Sequence, residues 1–416
     1  MSARLPDDCF ALPPGVDWTP VDEALALLRQ RMQTVCAVET VALDAAQGRL
    51  LAAPVAALRD NPPQANAAVD GYAFAWESAA PSADLVLAPG RAAAGAPHTA
   101  TLAPGQALRI LTGAEIPAGA DSVVLQEDCV IDGGRVRFPR PKKPGANARA
   151  AGEDARLGEV VLEAGRCLTP ADLARLAVVG VAEVAVHRRL RLGVLSTGDE
   201  LIQPGADPAT PGIFDANRPM LKALAKAQGF DTVDLGAVAD DAATVRTALE
   251  RGAREADALV TTGGASTGDE DHIARLLSEE GHMHTWRIAV KPGRPLALGQ
   301  WDGVPVFGLP GNPVAAFVCF LIFARPALLS LAGAPWPEPR AYTLPAAFTK
   351  RKKPGRREYL RARLGADGRV EAFHSEGSGL VGGLSWADGL VELADGAAEI
   401  GPGDLVRYLP FSGFVG

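Results

Sequence analysis

Acidic residues cluster directly after three apolar, strand-like runs of this chain. The pentapeptide STGDE occurs twice, at Ser196–Glu200 and at Ser266–Glu270, and Asp271 extends the second copy. A third run ends in Asp240 and Asp241. Such carboxylates can hold a phosphate group through Mg²⁺, because this ion is bound by one or two carboxylates and shared with substrate phosphates. Each acid taken alone is equally well explained as a helix cap, since a helix N-terminus favours negative charge.

Three further loops carry glycine, proline and cations. Residues 261–267, TTGGAST, offer amides and hydroxyls, and Gly263 and Gly264 allow the backbone to approach a phosphate closely. This loop lacks the GK[ST] of a Walker A motif and is not GxGxxG. The stretch KPGRP at residues 291–295 places two cations across a rigid turn, which suits an oxyanion. LPGNP at residues 309–313 ends a strand and starts a helix, and both stretches are also ordinary turn sequences.

The elements that must position these loops alternate between apolar strands and amphipathic helices from Arg189 onward. Strands are predicted in LRLGVLSTGDE, DTVDLGAVADD and DALVTTGG, and helices in NRPMLKALAKAQGF, ATVRTALERGARE and HIARLLSEEG. Two more strands are predicted in RIAVKPGRPLALG and VPVFGLPGN, before a helix from Pro313 to about Leu331. This βαβ order predicts a doubly wound α/β domain with a parallel sheet. Ligands of such sheets bind outside the carboxyl ends of the strands, so the two STGDE copies are expected to form two walls of one cleft.

Two helices with similar openings frame the N-terminal half. The first, TPVDEALALLRQRM, is predicted with Thr19 as cap and Pro20 at its first position, and the second, TPADLARLAVVG, begins at Thr169 and ends at Gly180. Short β-like runs cut by proline and glycine lie between them, which predicts an all-β module inserted into a helical framework. After Gly333 a proline-rich linker leads to strand-like runs that are typical of a small β-barrel or sandwich.

The composition limits the classes of function. A chain of 416 residues is expected to form two to four domains, and its net charge of -8 argues against general nucleic-acid binding. The basic stretch Lys350–Arg363 is therefore interpreted as a solvated edge strand or as an anion-binding rim. Five separated cysteines and an N-terminus without a signal-peptide pattern predict a cytoplasmic protein. The longest apolar run, Val314–Ala324, is too short to cross a bilayer and is predicted to be a buried helix.

Seven ordered motifs resemble those of a known family. They are VDGYA, ILTGAEIPAGADSVV, GED, STGDE, GGxSxGDxD, KPGRP and LPGNPV. From about Thr19 to its C-terminus the chain is similar to the molybdopterin molybdenumtransferases, the molybdenum insertases that include the gephyrin E domain. The resemblance implies a discontinuous helical linker domain (residues 1–52 and 145–187) and an inserted β-domain (53–144). It also implies a molybdopterin-binding-like α/β domain (188–334) and a C-terminal β-barrel (338–416).

The resemblance also implies a reaction and an assembly. Family members insert molybdate into adenylylated molybdopterin with release of AMP, in a Mg²⁺-dependent step of molybdenum cofactor biosynthesis. They are homodimers whose cleft lies between the α/β domain of one subunit and the N-terminal region of the other. A molybdopterin adenylyltransferase that supplies the substrate is a further candidate partner, whereas neither a nucleic acid nor a membrane is implied. The alternatives are a non-catalytic scaffold of the same fold and another Mg²⁺-dependent phosphotransferase.

Motif by motif, the resemblance implies two groups of site residues. The catalytic group comprises Asp70, Thr112 and Asp154 from the N-terminal half and Glu200, Asp240 and Asp271 from the α/β domain, and the last three are also the implied Mg²⁺ ligands. The group implied to bind the pterin phosphate and the oxyanion comprises Gly263, Gly264, Ser266, Lys291, Arg294, Pro295, Pro310, Pro313, Ser378, and Arg356 or Arg361.

Four positions depart from the family pattern. Ala67 stands where the family often has serine, Arg287 and Arg294 where it often has lysine, and His272 where it often has tyrosine. Arginine keeps the positive charge and adds bidentate geometry, so anion binding is expected to survive. Alanine lacks the serine hydroxyl, which removes one hydrogen bond. The role of His272 stays open.

Overall fold

The computed structural model describes Leu5, Phe10 and residues 18–263, 272–293 and 295–414. The helices in these residues are α1 (Val21–Arg31), α2 (Pro170–Val178), α3 (Asn217–Ala227), α4 (Ala242–Glu255), α5 (His272–Glu279), α6 (Pro313–Cys319), α7 (Arg325–Ala332) and α8 (Gly382–Trp386). A π-helical segment, Phe320–Ala324, joins α6 to α7. Four short 3₁₀ helices lie at Leu43–Ala45, Trp76–Ser78, Gln126–Asp128 and Phe411–Phe414.

The strands of the first half are β1 (Val38–Ala42), β2 (Leu50–Leu51), β3 (Val55–Ala56), β4 (Asn66–Ala67), β5 (Gly71–Phe74), β6 (Ser82–Ala92), β7 (Gln106–Ile110), β8 (Ser122–Leu125), β9 (Val130–Asp132), β10 (Arg135–Pro139), β11 (Ala148–Arg149), β12 (Val160–Leu162) and β13 (Glu183–His187). Those of the second half are β14 (Arg191–Thr197), β15 (Leu201–Ile202), β16 (Ile213–Phe214), β17 (Asp231–Val238), β18 (Ala258–Thr262), β19 (His282–Arg287), β20 (Val290–Lys291), β21 (Pro295–Trp301), β22 (Val304–Leu309), β23 (Tyr342–Pro345), β24 (Lys350–Lys352), β25 (Arg357–Leu364), β26 (Val370–Ala372), β27 (Gly389–Leu393), β28 (Ala398–Ile400) and β29 (Leu405–Pro410).

The α/β sheet has the strand order β17-β14-β18-β22-β21-β19. β17, β14, β18 and β22 are parallel, as predicted. The helices after β14, β17 and β18 return the chain to the same edge, whereas β22 is reached from β21 through a hairpin. β21 runs antiparallel to both β22 and β19, so the sheet is mixed rather than wholly parallel. The predicted fold class, an α/β domain combined with β domains, is confirmed.

The prediction of one strand over RIAVKPGRPLALG is wrong. Arg287 ends β19 and Pro295 begins β21, both in the α/β sheet, whereas β20 between them pairs with β25 of the C-terminal sheet. The intervening turn redirects the chain between the two sheets.

β21 and β22 are joined by Asp302 and Gly303, which have φ of 48° and 73°. This Asp-Gly pair is a strong hairpin signal, and it predicts the antiparallel pairing that the strand–helix alternation conceals.

Helix α1 packs into the core of the α/β sheet. Val21, Ala24 and Leu28 are each 0% exposed and belong to the hydrophobic cluster that contains α7 and the central strands. The prediction that Thr19 caps this helix is wrong, because its backbone pairs with the end of β19: Thr19 N donates to Arg287 O at 2.9 Å. Pro20 therefore takes the N-cap position, without a side-chain cap. In α2 the expected cap forms, since Thr169 and Asp172 make a reciprocal capping box.

The helical run Pro313–Ala332 lies in the same core. It is long and apolar enough to cross a membrane by length and composition alone, but 89% of its most apolar window is buried inside the protein. Phe320 and Phe323, both in the π-helical segment, are fully buried. It is therefore a core helix, as predicted for Val314–Ala324.

The N-terminal half contains a six-stranded sheet of order β8-β5-β7-β6-β10-β9, all of it between residues 71 and 139. A separate three-stranded sheet pairs β1 and β2 with β13 and packs with α2 in its own hydrophobic cluster. The predicted domain boundaries stay predictions, although the inserted sheet falls between the two halves of this framework.

The C-terminal sheet has the order β20-β25-β27-β29-β23, with β26 on β25. The interpretation of Lys350–Arg363 as an edge strand is wrong for β25, which has neighbours on both sides. Lys352 and Arg361 in this stretch are only 3% and 4% exposed. Because β20 comes from the α/β domain, the pairing of β20 with β25 joins that domain to the C-terminal sheet.

Candidate active site

A cavity of about 580 Å³ opens at the carboxyl ends of β14, β18 and β22. Its walls combine residues of the strand ends, of the start of α6 and of the C-terminal domain: Thr197, Glu200, Leu201, Ile213, Phe214, Asp215, Ala216, Asn217, Thr262, Gly263, Gly311, Asn312, Pro313, Gly379 and Val381. This is the edge of the sheet where the sequence predicts a ligand cleft.

Glu200 lies on the loop after β14 and lines this cavity. Its backbone is fixed by the short ladder of β15 and β16, in which Ile213 N donates to Glu200 O at 2.7 Å. The neighbouring Asp199 carboxylate accepts a hydrogen bond from Asp240 N at 2.9 Å, which brings two of the three acidic loops together. Glu200 itself is exposed.

The capping interpretation is correct for Asp241. Its carboxylate accepts hydrogen bonds from Thr244 N at 2.9 Å and from Thr244 Oγ1 at 2.8 Å, at the start of α4. These bonds lower the pKa of Asp241. The second STGDE copy and Asp271 lie outside the described residues. Among the residues the structure does describe, no three His, Cys, Asp or Glu side chains are placed to hold a metal ion together.

Gly263 marks the floor of the cavity at the end of β18. Its φ is 86°, and a Cβ there would stand 2.5 Å from Thr197 O on the neighbouring strand. Only glycine allows β14 and β18 to keep this distance at the end of β18. Gly264 and Ser266, the other implied members of the phosphate loop, lie outside the described residues.

Asn217 is a cavity residue that the sequence analysis missed. Its side-chain amide donates to Thr262 Oγ1 and to Gly311 O, each at 2.6 Å, so it ties the end of β18 to the loop that precedes α6. Asn217 Oδ1 is buried and has no hydrogen-bond partner in the described part of the chain. Asp215, 2% exposed, accepts from Arg218 N at 3.0 Å and fixes the start of α3. The available signal for both was the DAN triplet at residues 215–217, where two polar side chains stand at the start of the predicted amphipathic helix.

The LPGNP loop forms another wall. Pro313 is the first residue of α6, as predicted, and Asn312 and Pro313 line the cavity. Pro310 O faces Thr262 Oγ1 at 3.5 Å. Val314 N donates to Ser378 O at 3.0 Å, so a loop of the C-terminal domain reaches the start of α6. This loop, residues 375–381, is called the clamp loop below.

Lys291 lies beside the clamp loop in a cluster of four charges. Its Nζ donates to Glu376 Oε2 at 2.6 Å and is 3.5 Å from Glu358 Oε1. Lys350 contacts the same two carboxylates, with 3.2 Å to Glu358 Oε2. The hydrogen bonds from Lys291 and Lys350 lower the pKa of Glu376. Of the other members of the KPGRP motif, Arg294 lies outside the described residues and Pro295 begins β21.

Arg361 holds the clamp loop through hydrogen bonds to its backbone. It is 4% exposed, and its guanidinium donates to Leu380 O at 2.6 Å, to Gly377 O at 3.1 Å and to Ser375 O. The same guanidinium lies over the Phe373 ring at 4.7 Å, and burial lowers the pKa of Arg361. Arg356, the alternative candidate, is half-buried in the turn before β25. Ser378 contributes its backbone carbonyl to the contact with α6.

The implied site residues of the N-terminal half form two separate groups. Asp70 Oδ1 accepts from Thr112 N and from Thr112 Oγ1, both at 2.7 Å, and these bonds lower the pKa of Asp70. Asp154 Oδ2 accepts from Asn61 Nδ2 at 2.8 Å and lines a second cavity of about 430 Å³ with Arg149. All these contacts join residues of the N-terminal half to one another.

Three of the four departures have described surroundings. Ala67 is 0% exposed in β4, opposite Ala148. Arg287 is exposed at the end of β19, and the ring Nδ1 of His272 lies 2.8 Å from Arg275 at the start of α5. None of these three residues lines the cavity at the sheet edge. Arg294, the fourth, lies outside the described residues.

Three family models match successive parts of the chain. Residues 19–180 match the MoeA N-terminal region (domain I and II), residues 193–330 match a probable molybdopterin binding domain, and residues 343–411 match the MoeA C-terminal region (domain IV). The matches follow the order of the sheets described above.

Whole-chain relatives agree with these models. A molybdopterin molybdenumtransferase of Haemophilus influenzae is 33% identical over 402 residues, covering 95% of this chain and 99% of that protein. Molybdopterin molybdenumtransferase 2 of Mycobacterium tuberculosis is 35% identical over 388 residues, covering 89% and 95%. A crystal structure of the molybdopterin biosynthesis moeA protein from Pyrococcus horikoshii superimposes with a TM-score of 0.81 at 28% identity, covering 95% of this chain and 100% of that one.

Proposed function

The chain belongs to the molybdopterin molybdenumtransferase family, and from this membership we propose that it inserts molybdenum from molybdate into adenylylated molybdopterin and releases AMP. As a member of this family it is a transferase of molybdenum cofactor biosynthesis. The release of AMP, a requirement for Mg²⁺, a homodimeric assembly and a cytoplasmic location are further parts of this proposal.

The observation that carries the proposal is the position of the clamp loop between two polar sites. Gly379 and Val381 of this loop line the strand-end cavity, while Glu376 of the same loop contacts Lys291. A cavity with carboxylate and glycine walls suits a nucleotide phosphate bound through a cation, and a lysine pair suits a tetrahedral oxyanion. The clamp loop thus borders both a place for the nucleotide phosphate and a place for the oxyanion. Two substrates bound on either side of one loop are held close to each other, as a molybdenum insertion requires.

The described carboxylates near the cavity have the donor chemistry of an incomplete Mg²⁺ site. Glu200 lines the cavity, its neighbour Asp199 accepts a hydrogen bond from Asp240 N, and all three side chains carry oxygen donors. Such a set, without a complete protein cage, is typical of a cation that substrate phosphates help to hold. Glu200 and Asp240, with Asp271, are the residues proposed to hold the ion. When bound, Mg²⁺ neutralises phosphate charge and polarises the bond to the leaving AMP.

The remaining roles follow from the described contacts. The Gly263 backbone lets the phosphate approach the sheet, and Asn217 holds the walls at Thr262 and Gly311 at a fixed separation. Lys291 attracts the oxyanion, and the clamp loop keeps it next to the cavity. Binding and orientation account for the reaction in this scheme, and no protein side chain needs to act as a covalent nucleophile.

The test is a single-turnover assay with the full chain, adenylylated molybdopterin, molybdate and Mg²⁺, following AMP release and cofactor formation. Glu200→Gln should slow AMP release on the order of a hundred-fold or more, because losing a few kcal/mol of charge stabilisation has that effect. Glu399→Gln is the matched control: Glu399 is an exposed ion-pair residue that does not line the cavity, so this variant should behave as wild type. ATP hydrolysis without molybdopterin, with no cofactor formed, would instead support a different phosphotransferase.

We propose further that Asp70, Thr112 and Asp154 complete the cleft of a partner subunit. This part is tested by producing Asp70→Asn and Glu200→Gln chains together. If the cleft is shared, mixed dimers regain one intact cleft of two, so about a quarter of the wild-type activity returns when pairing is random. If both residues serve a cleft within one chain, the mixture stays as inactive as either variant alone, and the shared cleft is refuted.

A further inference from the structure

Four charged side chains close on one another beside the clamp loop: Lys291, Lys350, Glu358 and Glu376. Glu376 contacts both ammonium groups, with 2.6 Å to Lys291 Nζ. Glu358 also contacts both, at 3.5 Å from Lys291 and 3.2 Å from Lys350. Two positive and two negative charges make this cluster formally neutral. The positive charge of the two lysines, which would attract an oxyanion, is thus already neutralised by Glu358 and Glu376.

The two carboxylates differ in how firmly they are held. The Glu358 side chain is 8% exposed and belongs to β25, an interior strand of the C-terminal sheet. The Glu376 side chain is 45% exposed and belongs to the clamp loop. A half-exposed carboxylate can move into water at little cost, whereas a buried one cannot. Glu376 is therefore the exchangeable anion of the cluster.

We propose that Glu376 is a built-in competitor that occupies Lys291 and Lys350 until an external oxyanion displaces its carboxylate, and so sets the oxyanion concentration at which the site fills. This inference rests on the proposed function, because it takes Lys291 as a ligand of the oxyanion. It goes beyond that function by making Glu376 a residue that sets the affinity of the protein for its oxyanion. The oxyanion is a tetrahedral dianion such as molybdate or tungstate.

The contacts of Arg361 allow this exchange without movement of the loop. Its guanidinium donates to the carbonyls of Ser375 and Gly377, the residues directly before and after Glu376. The backbone on both sides of Glu376 is thus held from below, while Val314 N holds Ser378 O from the other side. Displacement then needs only a rotation of the Glu376 side chain, and the rest of the oxyanion site stays in place.

Removing the charge of Glu376 changes the cluster from neutral to a net charge of +1. Glu376→Gln should therefore strengthen oxyanion binding, on the order of ten-fold, since the ion pairs of Glu376 with Lys291 and Lys350 no longer have to be broken. A merely structural role predicts the opposite, because a displaced Lys291 would bind the anion less well. In turnover assays the variant should lower the KM for molybdate.

The decisive experiment measures tungstate binding to the full chain by calorimetry at constant ionic strength. Glu376→Gln is compared with wild type and with Glu371→Gln, which removes a similarly exposed carboxylate, paired with Arg363 in the same domain. A lower Kd for Glu376→Gln alone supports the proposal, and Glu376→Ser should give the same direction. An equal or higher Kd for both Glu376 variants, or no tungstate binding by any chain, overturns it.

A second background separates this inference from its premise. In Lys291→Ala the gain from Glu376→Gln should shrink, because the main partner of Glu376 is absent; an unchanged gain would show that Glu376 acts elsewhere and overturn the proposal. Wild-type molybdenum transfer is measured in parallel. If wild type transfers molybdenum but the Glu376 variants bind tungstate no better than wild type, only the proposal that Glu376 competes with the oxyanion is refuted. If wild type transfers no molybdenum, the proposed function is refuted.

Discussion

Replacing Arg361 by methionine should open the clamp loop without unfolding the protein. The guanidinium makes three hydrogen bonds to loop carbonyls, and two of them, at Gly377 and Leu380, belong to exposed residues. Those carbonyls can bind water once the guanidinium is lost, so each bond contributes nearer 0.5 than 1.5 kcal/mol, and the lost contact with the Phe373 ring adds a similar amount. The clamp loop should therefore lose about 2 kcal/mol, which raises the population of its open form roughly thirty-fold.

The assay is amide hydrogen exchange across residues 375–381 and at Val314, whose N–H is bonded to Ser378 O. Hydrogen exchange at these amides should accelerate roughly thirty-fold, in proportion to the open population, while the amides in the strands of the α/β sheet stay protected from exchange. Arg363→Met is the matched control, because Arg363 lies on the same strand, contacts an aromatic ring and pairs with exposed Glu371. The control should leave exchange in the clamp loop unchanged.

The refuting result is a loss of oxyanion affinity in Arg361→Met with no change in exchange of the clamp loop. That outcome would mean that Arg361 binds the oxyanion directly, as the motif comparison allowed, and that its three carbonyl contacts contribute little. If the loop opens, oxyanion affinity should fall as a consequence, and Arg361→Lys should restore only part of both properties, because lysine lacks the planar fork that reaches several carbonyls.

Three other changes have defined outcomes. Asp257→Asn should destabilise the chain by about 3 kcal/mol in urea unfolding, because the carboxylate is 1% exposed and bridges Arg188 and Arg191; a loss below about 1 kcal/mol would contradict a structural role for this bridge. Burial acts to raise the pKa of Asp234, but Lys222 and Arg218 outweigh it and lower the pKa to about 2. Its contribution to stability is therefore present above the usual pKa of 3.8 and lost as the pH falls towards about 2, and Asp234→Asn should flatten that part of a stability–pH curve. Gly263→Ala should abolish turnover, because a Cβ meets Thr197 O at 2.5 Å, whereas Gly205→Ala, with a similar φ of 97° and open space, should cost only stability; equal activity in both variants would show that the close contact is unimportant.

Much of the α/β domain could be predicted because its signals are local. The strands β14, β17 and β18 and the helices after them follow directly from alternating apolar runs and glycine stops such as Gly229. The errors occurred where pairing depends on distant residues. β20 was assigned to the wrong sheet because nothing in KPGRP indicates that its partner is β25, and α1 could not be placed in the α/β core because an amphipathic stripe does not identify the surface that covers it.

The site divides in the same way. Glu200, Gly263 and Pro313 were found because ligand loops of a parallel sheet follow its strands, so position in the sequence already implies position in space. Asn217 lies at the start of a helix rather than at a strand end, and its contact with Gly311 joins residues 94 apart. Only tertiary structure could reveal that its amide spans the two walls.

The clamp loop shows why charge at the oxyanion site is the least predictable feature. The KPGRP motif predicts that Lys291 is a cation suited to an oxyanion, yet it is paired with Glu376, a residue 85 positions away in another domain. The pairing exists because β25 takes β20 as its neighbour, which sets Glu358 and the clamp loop opposite Lys291. The number of cations in a motif therefore does not give the charge that an incoming oxyanion meets. That charge depends on which acids the C-terminal sheet brings alongside, so a single loop carboxylate can change oxyanion affinity while every motif of the α/β domain stays the same.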